Sequence, residues 1–227
     1  MANCSIWVEG ISDRIYIRAF LKSYCESIKK EYLKEDIDFA FFEYAGTNLD
    51  HYLFDNNIDY EKQQDILKNI KAMSLSNRIF LLADSDNTQS TTKKGIRLAN
   101  LEKARTNNFI PKIIRSHREI ENFLPNEVWE DILIDLCNKS LTSKPEKREN
   151  INEKIKEALK ETNSKNFSKK YIGEFLNEIR NKVGKVSGKY AINESEYETK
   201  ANNTFGTIKN KRMLSEIVAK KNFLEKY

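Results

Sequence analysis

Arg78-Ile79-Phe80-Leu81-Leu82-Ala83-Asp84-Ser85-Asp86 passes without a break from an apolar run into two carboxylates one residue apart. A short apolar run closed by a polar turn, here Asn87-Thr88, reads as a buried strand whose carboxyl end carries acid. Outward from it the pattern recurs. Ser5-Ile6-Trp7-Val8 is a first strand, ending in Glu9-Gly10. Ser12 then caps a helix in which Ile17, Phe20, Leu21, Tyr24 and Ile28 repeat at helical spacing. The run from Phe39 to Tyr44 is a second strand, and Gly46-Thr47-Asn48 turns into a helix reaching Phe54. A polar helical stretch precedes Arg78, Lys93 to Thr106 forms another helix, and Lys112 to Arg115 a fourth strand.

Strands alternating with helices imply an α/β fold, a mainly parallel four-stranded sheet covered on both faces by helices. From Asn122 the pattern turns helical. Stripes at Trp129/Ile132/Leu133/Leu136, Ile151/Ile155/Leu159, Ile172/Phe175/Leu176/Ile179 and Met213/Leu214/Ile217/Val218 each suit a helix packed on a core. Val183 to Phe205, rich in Gly, Ser and Asn, reads as a long loop. The expected organisation is a core over 1–125 and an α-helical C-terminal region over 126–227 that packs on it and adds a basic surface.

In parallel sheets ligands gather at the carboxyl ends of strands. Glu9 ends the first strand, and Asp13, four residues on, points back toward it from the first helical turn. Asp84 and Asp86, spaced to project to the same side of an extended segment, end the third strand, and Glu119 and Glu121 repeat the spacing after the fourth. Each acid alone has an ordinary account as a turn, a helix start or the partner of Arg115 or Arg118. Recurrence at successive strand ends selects the shared one. Carboxylates packed together repel, and a divalent cation removes the repulsion. Mg²⁺ takes one or two carboxylates plus waters and phosphate oxygens, so this set suits two ions that could serve an in-line phosphodiester displacement.

Composition agrees. Only two histidines are present, so a metal site would have to be hard and oxygen-bound. The three cysteines, odd in number and without CxxC spacing, fit neither a disulfide framework nor a zinc site, and suggest a reducing cytoplasm. No apolar run spans a membrane and no charged leader precedes the first strand, so neither a membrane segment nor a secretory signal is expected. The net charge of +5 arises wholly beyond residue 121. Lys93 to Arg118 holds eight basic residues against Glu102 alone, and Lys165 to Lys189 holds seven against two glutamates. Such stretches can track a phosphate backbone, with Lys93, Lys94, Arg97, Arg118, Lys169 and Lys170 as candidate DNA contacts, blind to sequence and sensitive to salt.

The segment Ile6-Trp7-Val8-Glu9-Gly10-Ile11-Ser12-Asp13-Arg14 resembles the first motif of Toprim domains, and Phe80-Leu81-Leu82-Ala83-Asp84-Ser85-Asp86 resembles their DxD motif. Asp13 and Arg118-Glu119-Ile120-Glu121-Asn122-Phe123-Leu124 are similar to the Toprim domains of OLD (overcoming lysogenization defect) nucleases and related defence proteins. The likeness covers roughly residues 5–125. It implies an Mg²⁺- or Mn²⁺-dependent endonuclease that cuts DNA with two metals. By that likeness Glu9, Asp84 and Asp86 belong to one metal region and Asp13, Glu119 and Glu121 to the other. Glu9 and Asp84 are catalytic by the same likeness, as is a late lysine, for which Lys211 is the candidate and Lys209 the neighbour. It also implies an ATPase of the ABC/AAA type as partner, and a role in anti-phage defence. The chain has no GxxxxGK[ST] loop of its own, so that ATPase is expected either in a longer parent chain, the favoured reading, or as a separate subunit beside this one.

Two alternatives compete. A Toprim domain can bind nucleic acid without cutting, or serve strand transfer or primer synthesis in topoisomerases and primases. Alternatively, Asp84-Ser85-Asp86-Asn87-Thr88 fits the DxDxT pattern of haloacid-dehalogenase-type phosphatases, though that motif usually lies on a first strand and would leave Glu9, Asp13, Glu119 and Glu121 without work.

Overall fold

In the computed structural model, residues 2, 4–46, 52–53, 70–71, 76–200 and 204–221 are described. Cys4–Val8 forms β1, Ile11–Ser27 α1 and Ala40–Glu43 β2. Tyr52–Leu53 (β3) and Ile70–Lys71 (β4) pair with each other in parallel. Arg78–Asp84 is β5, Lys93–Lys103 α2 and Phe109–Ile114 β6. A 3-10 turn at Ile120–Phe123 leads into α3 (Asn126–Leu133), a short α4 (Lys139–Thr142), α5 (Pro145–Glu161) and α6 (Ile172–Val183). Four short strands follow: β7 (Lys185–Val186), β8 (Lys189–Tyr190), β9 (Tyr197–Thr199) and β10 (Phe205–Ile208). The last helix described is α7, Lys211–Lys220.

The main sheet runs β2-β1-β5-β6 with every pairing parallel, so the α/β class and the four-stranded sheet are as the sequence implies. From β1 the chain winds outward to β2, and from β5 it winds the other way to β6. The winding reverses between β1 and β5. At such a switch point the two outgoing connections diverge and leave a crevice beyond the carboxyl ends. Trp7 of β1 is in register with Leu81 of β5, so Glu9 and Asp84 leave the sheet side by side.

Two cores sit on this frame. Trp7, Ile79, Leu81, Phe109 and Ile113 of the sheet pack with Leu98 and Leu101 of α2. The larger core joins Tyr16 of α1 to Trp129, Ile132, Ile151, Ile155, Phe175, Ile179, Leu214 and Val218 of the helices beyond. All nine of these residues are fully buried. Helix α1 lies against α7, so the C-terminal helices continue the packing of the N-terminal half.

Several local expectations are corrected. Helix α1 is capped at Gly10 rather than Ser12; Gly10 is extended, and its N–H donates to Asp13 Oδ2 at 3.1 Å. Strand β6 starts at Phe109, before Pro111, because β6 is an edge strand and the missing N–H there costs the sheet no internal bond. Tyr52–Leu53 is strand, not helix, its backbone groups being bonded to Ile70–Lys71. The rest of that helix and the polar helical stretch lie largely outside the described residues. The loop expected over Val183 to Phe205 is interrupted by two short pairings, among its described residues. Ser187 and Gly188, both at positive φ, close the β7–β8 hairpin, and β9 pairs with β10.

Candidate metal centre

Glu9, Asp13 and Asp84 line one small cleft with Val8, Tyr44, Leu82 and Ile120. Each arrives by a different device. Glu9 follows β1, Asp84 is the last residue of β5, and Asp13 sits in the first turn of α1, turned back by its bond to Gly10 N–H. Tyr44 closes the floor, its hydroxyl donating to the Leu82 carbonyl at 3.0 Å. Beside it a continuation of the cleft runs past Gly46 to Lys94 and Arg97 of α2.

A second acidic group abuts the first. Glu121 is wholly buried, and Glu119 nearly so. Lys211, in the first turn of α7, reaches Glu119 Oε1 at 3.0 Å and Glu121 Oε2 at 3.5 Å. Glu119 Oε2 accepts from the Ile172 N–H at 2.8 Å, so the carboxylate also holds the start of α6. Glu121 Oε1 is buried with no hydrogen-bond partner, and so is the Tyr16 hydroxyl, which senses the Glu121 charge.

Electrostatics ties the two groups together. Burial raises the Asp84 pKa to about 7, helped by the charges of Asp13, Asp86 and Glu9. Burial likewise raises Asp13 to about 6, with Glu9 adding to it, and Glu121 to about 7, with Glu119 adding to it. Lys211 opposes all three shifts, and the carboxylates in turn outweigh its burial and lift its own pKa. Lys211 is the cation common to Asp13, Asp84 and Glu121, while Lys94 and Arg97 line the continuation of the cleft.

The expected ligands are therefore placed unequally. Glu9, Asp13 and Asp84 converge, and Glu119, Glu121 and Lys211 converge next to them. Asp86 departs from the same-side arrangement expected. Strand β5 ends at Asp84, Asp86 and Asn87 both take positive φ, and Asp86 turns outward into an ion pair with Lys94. That turn is fixed from behind: Thr92 Oγ1 accepts from Gly95 N–H, and a Cβ on Gly95 would stand 2.1 Å from the Gln89 carbonyl oxygen. Among the described residues no three His, Cys, Asp or Glu side chains stand close enough to enclose one ion. The donor chemistry still fits a hard divalent cation. The groups are carboxylates, burial works against their ionisation, and one oxygen, Glu121 Oε1, has no partner.

The basic stretches meet beside this cleft. Asn87 Nδ2 donates to the Lys169 carbonyl at 3.0 Å, the Lys169 ammonium to the Arg115 carbonyl, and Arg118 N–H to the Ser168 carbonyl at 2.7 Å. Lys93, Lys169 and Lys170 are exposed, whereas Lys94 and Arg97 line the cleft itself. The sequence reading missed Tyr44 and Tyr16. Tyr44 carried a signal, since it ends the run read as the second strand; Tyr16 carried none, lying beside the helical stripe rather than in it. No family profile, curated protein or solved structure matches the chain.

Proposed function

We propose that this chain is a divalent-metal-dependent endodeoxyribonuclease of the Toprim type, resembling the OLD nucleases. The observation that carries the reading is the convergence of Glu9, Asp13 and Asp84 at the β1/β5 switch point, with Glu121 and Lys211 against them. Glu9 and Asp84 would hold one Mg²⁺ or Mn²⁺ and Asp13 with Glu121 a second, each ion completed by waters and phosphate oxygens rather than by a third carboxylate, with Asp86 and Glu119 close by. Bound there, the cations would lower the pKa of an attacking water and neutralise charge on the phosphoryl oxygens.

The chain's own residues supply the rest. Lys211, fixed by Glu119 and Glu121, offers an ammonium to the charge that grows on a non-bridging oxygen in the transition state. Glu119 orients that lysine, because its other oxygen is anchored on the Ile172 amide. Tyr44 and Ile120 wall the cleft and keep its dielectric low, which strengthens every charge–charge contact inside it. Lys169, Lys170 and Lys93 draw the duplex in through its phosphates, without regard to sequence. The ATPase partner and the anti-phage role are carried by the family likeness alone.

Incubation of supercoiled plasmid with the chain and Mn²⁺ should give nicked and then linear DNA, and chelation should stop it. Asp84→Ala should give neither product. Plasmid left intact under Mg²⁺ and Mn²⁺, or cut equally by Asp84→Ala, overturns the assignment. Product ends bound to protein would favour strand transfer. Release of phosphate from small esters through an aspartyl-phosphate would favour a phosphatase.

A further inference from the structure

Arg118 and Lys200 come from distant parts of the chain to the same aromatic ring. The Arg118 guanidinium lies 3.6 Å from the centre of the Tyr171 ring, and the Lys200 ammonium 3.6 Å from the same centre. Neither has a carboxylate partner among the described residues, and Arg118 Nε is buried without an acceptor. The ring attracts each cation but leaves their mutual repulsion in place. Hydrogen bonding to Lys200, and then to Arg118, holds the Tyr171 phenol below its usual pKa, which marks the spot as strongly electropositive. An anion would balance the pair.

Its position says which anion. Arg118 immediately precedes Glu119, and Tyr171 immediately precedes Ile172, whose N–H binds Glu119 at 2.8 Å. Arg118 and the aromatic ring are thus each one residue from the contact that holds Glu119, and Lys200 reaches the same ring from a third segment. Exposed Lys169 and Lys170 extend the same surface. A polyanion whose phosphates repeat at short intervals matches this layout: one phosphate at the reacting centre, the next at the ring.

We propose that Arg118, Tyr171 and Lys200 form a subsite that holds one backbone phosphate of a nucleic-acid strand beside the carboxylate cleft. The inference rests on the reading of the chain as a nucleic-acid enzyme. The guanidinium fork suits two non-bridging oxygens, the ammonium acts as a point charge on the same group, and the Tyr171 ring orients both.

The test is equilibrium binding of a fluorescent single-stranded oligonucleotide to the full chain in EDTA over a salt series, so that cleavage plays no part. R118Q and K200Q should each bind roughly tenfold more weakly, as expected for one lost charge-assisted contact. The slope of log affinity against log salt should become shallower by about 0.7 in either variant. It should fall no further in the double variant, because both cations serve one phosphate. Unchanged binding in K200Q, or slope losses that add in the double variant, overturns the shared subsite. So does a defect for inorganic phosphate with none for the oligonucleotide. If R118Q does not fold, K200Q and Y171L decide, Y171L being expected to lose binding by disordering both cations. A parent that nicks plasmid while all these variants bind normally sinks the subsite alone. A parent that nicks nothing while K200Q loses binding sinks the nuclease reading alone.

Discussion

The β1/β5 sheet edge and the C-terminal helices use charge in opposite ways. Among the helices, charged side chains stand at the surface in pairs such as Lys156–Glu130, Lys182–Glu161, Arg148–Asp135 and Arg212–Glu216, while the buried positions carry no charge and are apolar apart from small hydroxyl residues such as Ser215. At the sheet edge, Asp13, Asp84, Glu119 and Glu121 are drawn inward around one lysine, and three of them have pKa values raised to about 6 or 7. The first arrangement lowers the energy of the fold. The second raises it, and a chain keeps such a cost where something else is gained, commonly a bound ion or a reaction. The same kind of substitution should therefore have opposite consequences in the two places.

The largest contrast is in activity. Asp84→Ala and Glu9→Ala should each lower Mn²⁺-dependent nicking by at least about a hundredfold, a cost typical of losing a group that stabilises transition-state charge. Asp84→Ala should not lower the thermal midpoint measured in EDTA at pH 8, and should raise it, because it removes a half-buried carboxylate that is held against its preference for water. A clear fall in that midpoint would mean that Asp84 is a structural residue, and the comparison would fail.

The reverse signature belongs to the helical core. Ile155 is fully buried in α5, so Ile155→Ala should lose about 2–5 kcal/mol in a denaturant titration. Nicking per folded molecule should stay near parental. If activity falls with the fold intact, the helices do more than support the cleft.

A third effect follows from the raised carboxyl pKa values. In the unfolded chain these groups titrate near about 4. The folded state therefore holds extra protons between about pH 4 and pH 7 on Asp13, Asp84 and Glu121. For these groups stability is highest below that window, falls as pH rises through it, and levels off above about 7. Metal that replaces those protons should restore what is lost. Mn²⁺ should raise the melting temperature by on the order of 5 °C at pH 8 and by much less at pH 5, where protons compete. An equal rise at both values would place the binding elsewhere.

How much of this was legible in the sequence also divides by region. The strand-end acids were legible because an apolar run that stops at Asp84 must leave the sheet there, and register with β1 then brings Glu9 alongside. The helical stripes were legible by period. The outward turn of Asp86 was not, since it depends on positive φ at two non-glycine residues and on the Gly95 contact behind them. Nor was the link from Lys211 to Glu121, which joins positions 90 residues apart; the family likeness suggested the lysine, but spacing could not place it. The convergence of Arg118 and Lys200 on Tyr171 is of the same kind. The β7–β8 hairpin had a signal, Ser187-Gly188, that composition obscured.

The smallest effect is expected at an exposed pair, and it tests whether geometry alone makes a charge matter. Arg212 Nε lies 2.9 Å from Glu216 Oε1 on α7, a closer contact than the 3.0 and 3.5 Å of neighbouring Lys211 to its two glutamates. By distance the surface pair should be the stronger. Water screens it, however, and ordering two long side chains offsets most of the remaining attraction, so Arg212→Ala should change stability by less than about 0.5 kcal/mol. Lys211→Ala, one residue earlier, leaves Glu119 and Glu121 facing each other without a cation in a buried setting. There the loss should be several times larger at pH 8 and should shrink toward pH 5, where a proton can take the lysine's place on Glu121. Equal, small changes for both lysine and arginine would mean that the cleft is as wet as the helix surface, and that its carboxylates carry no special cost for a metal to relieve.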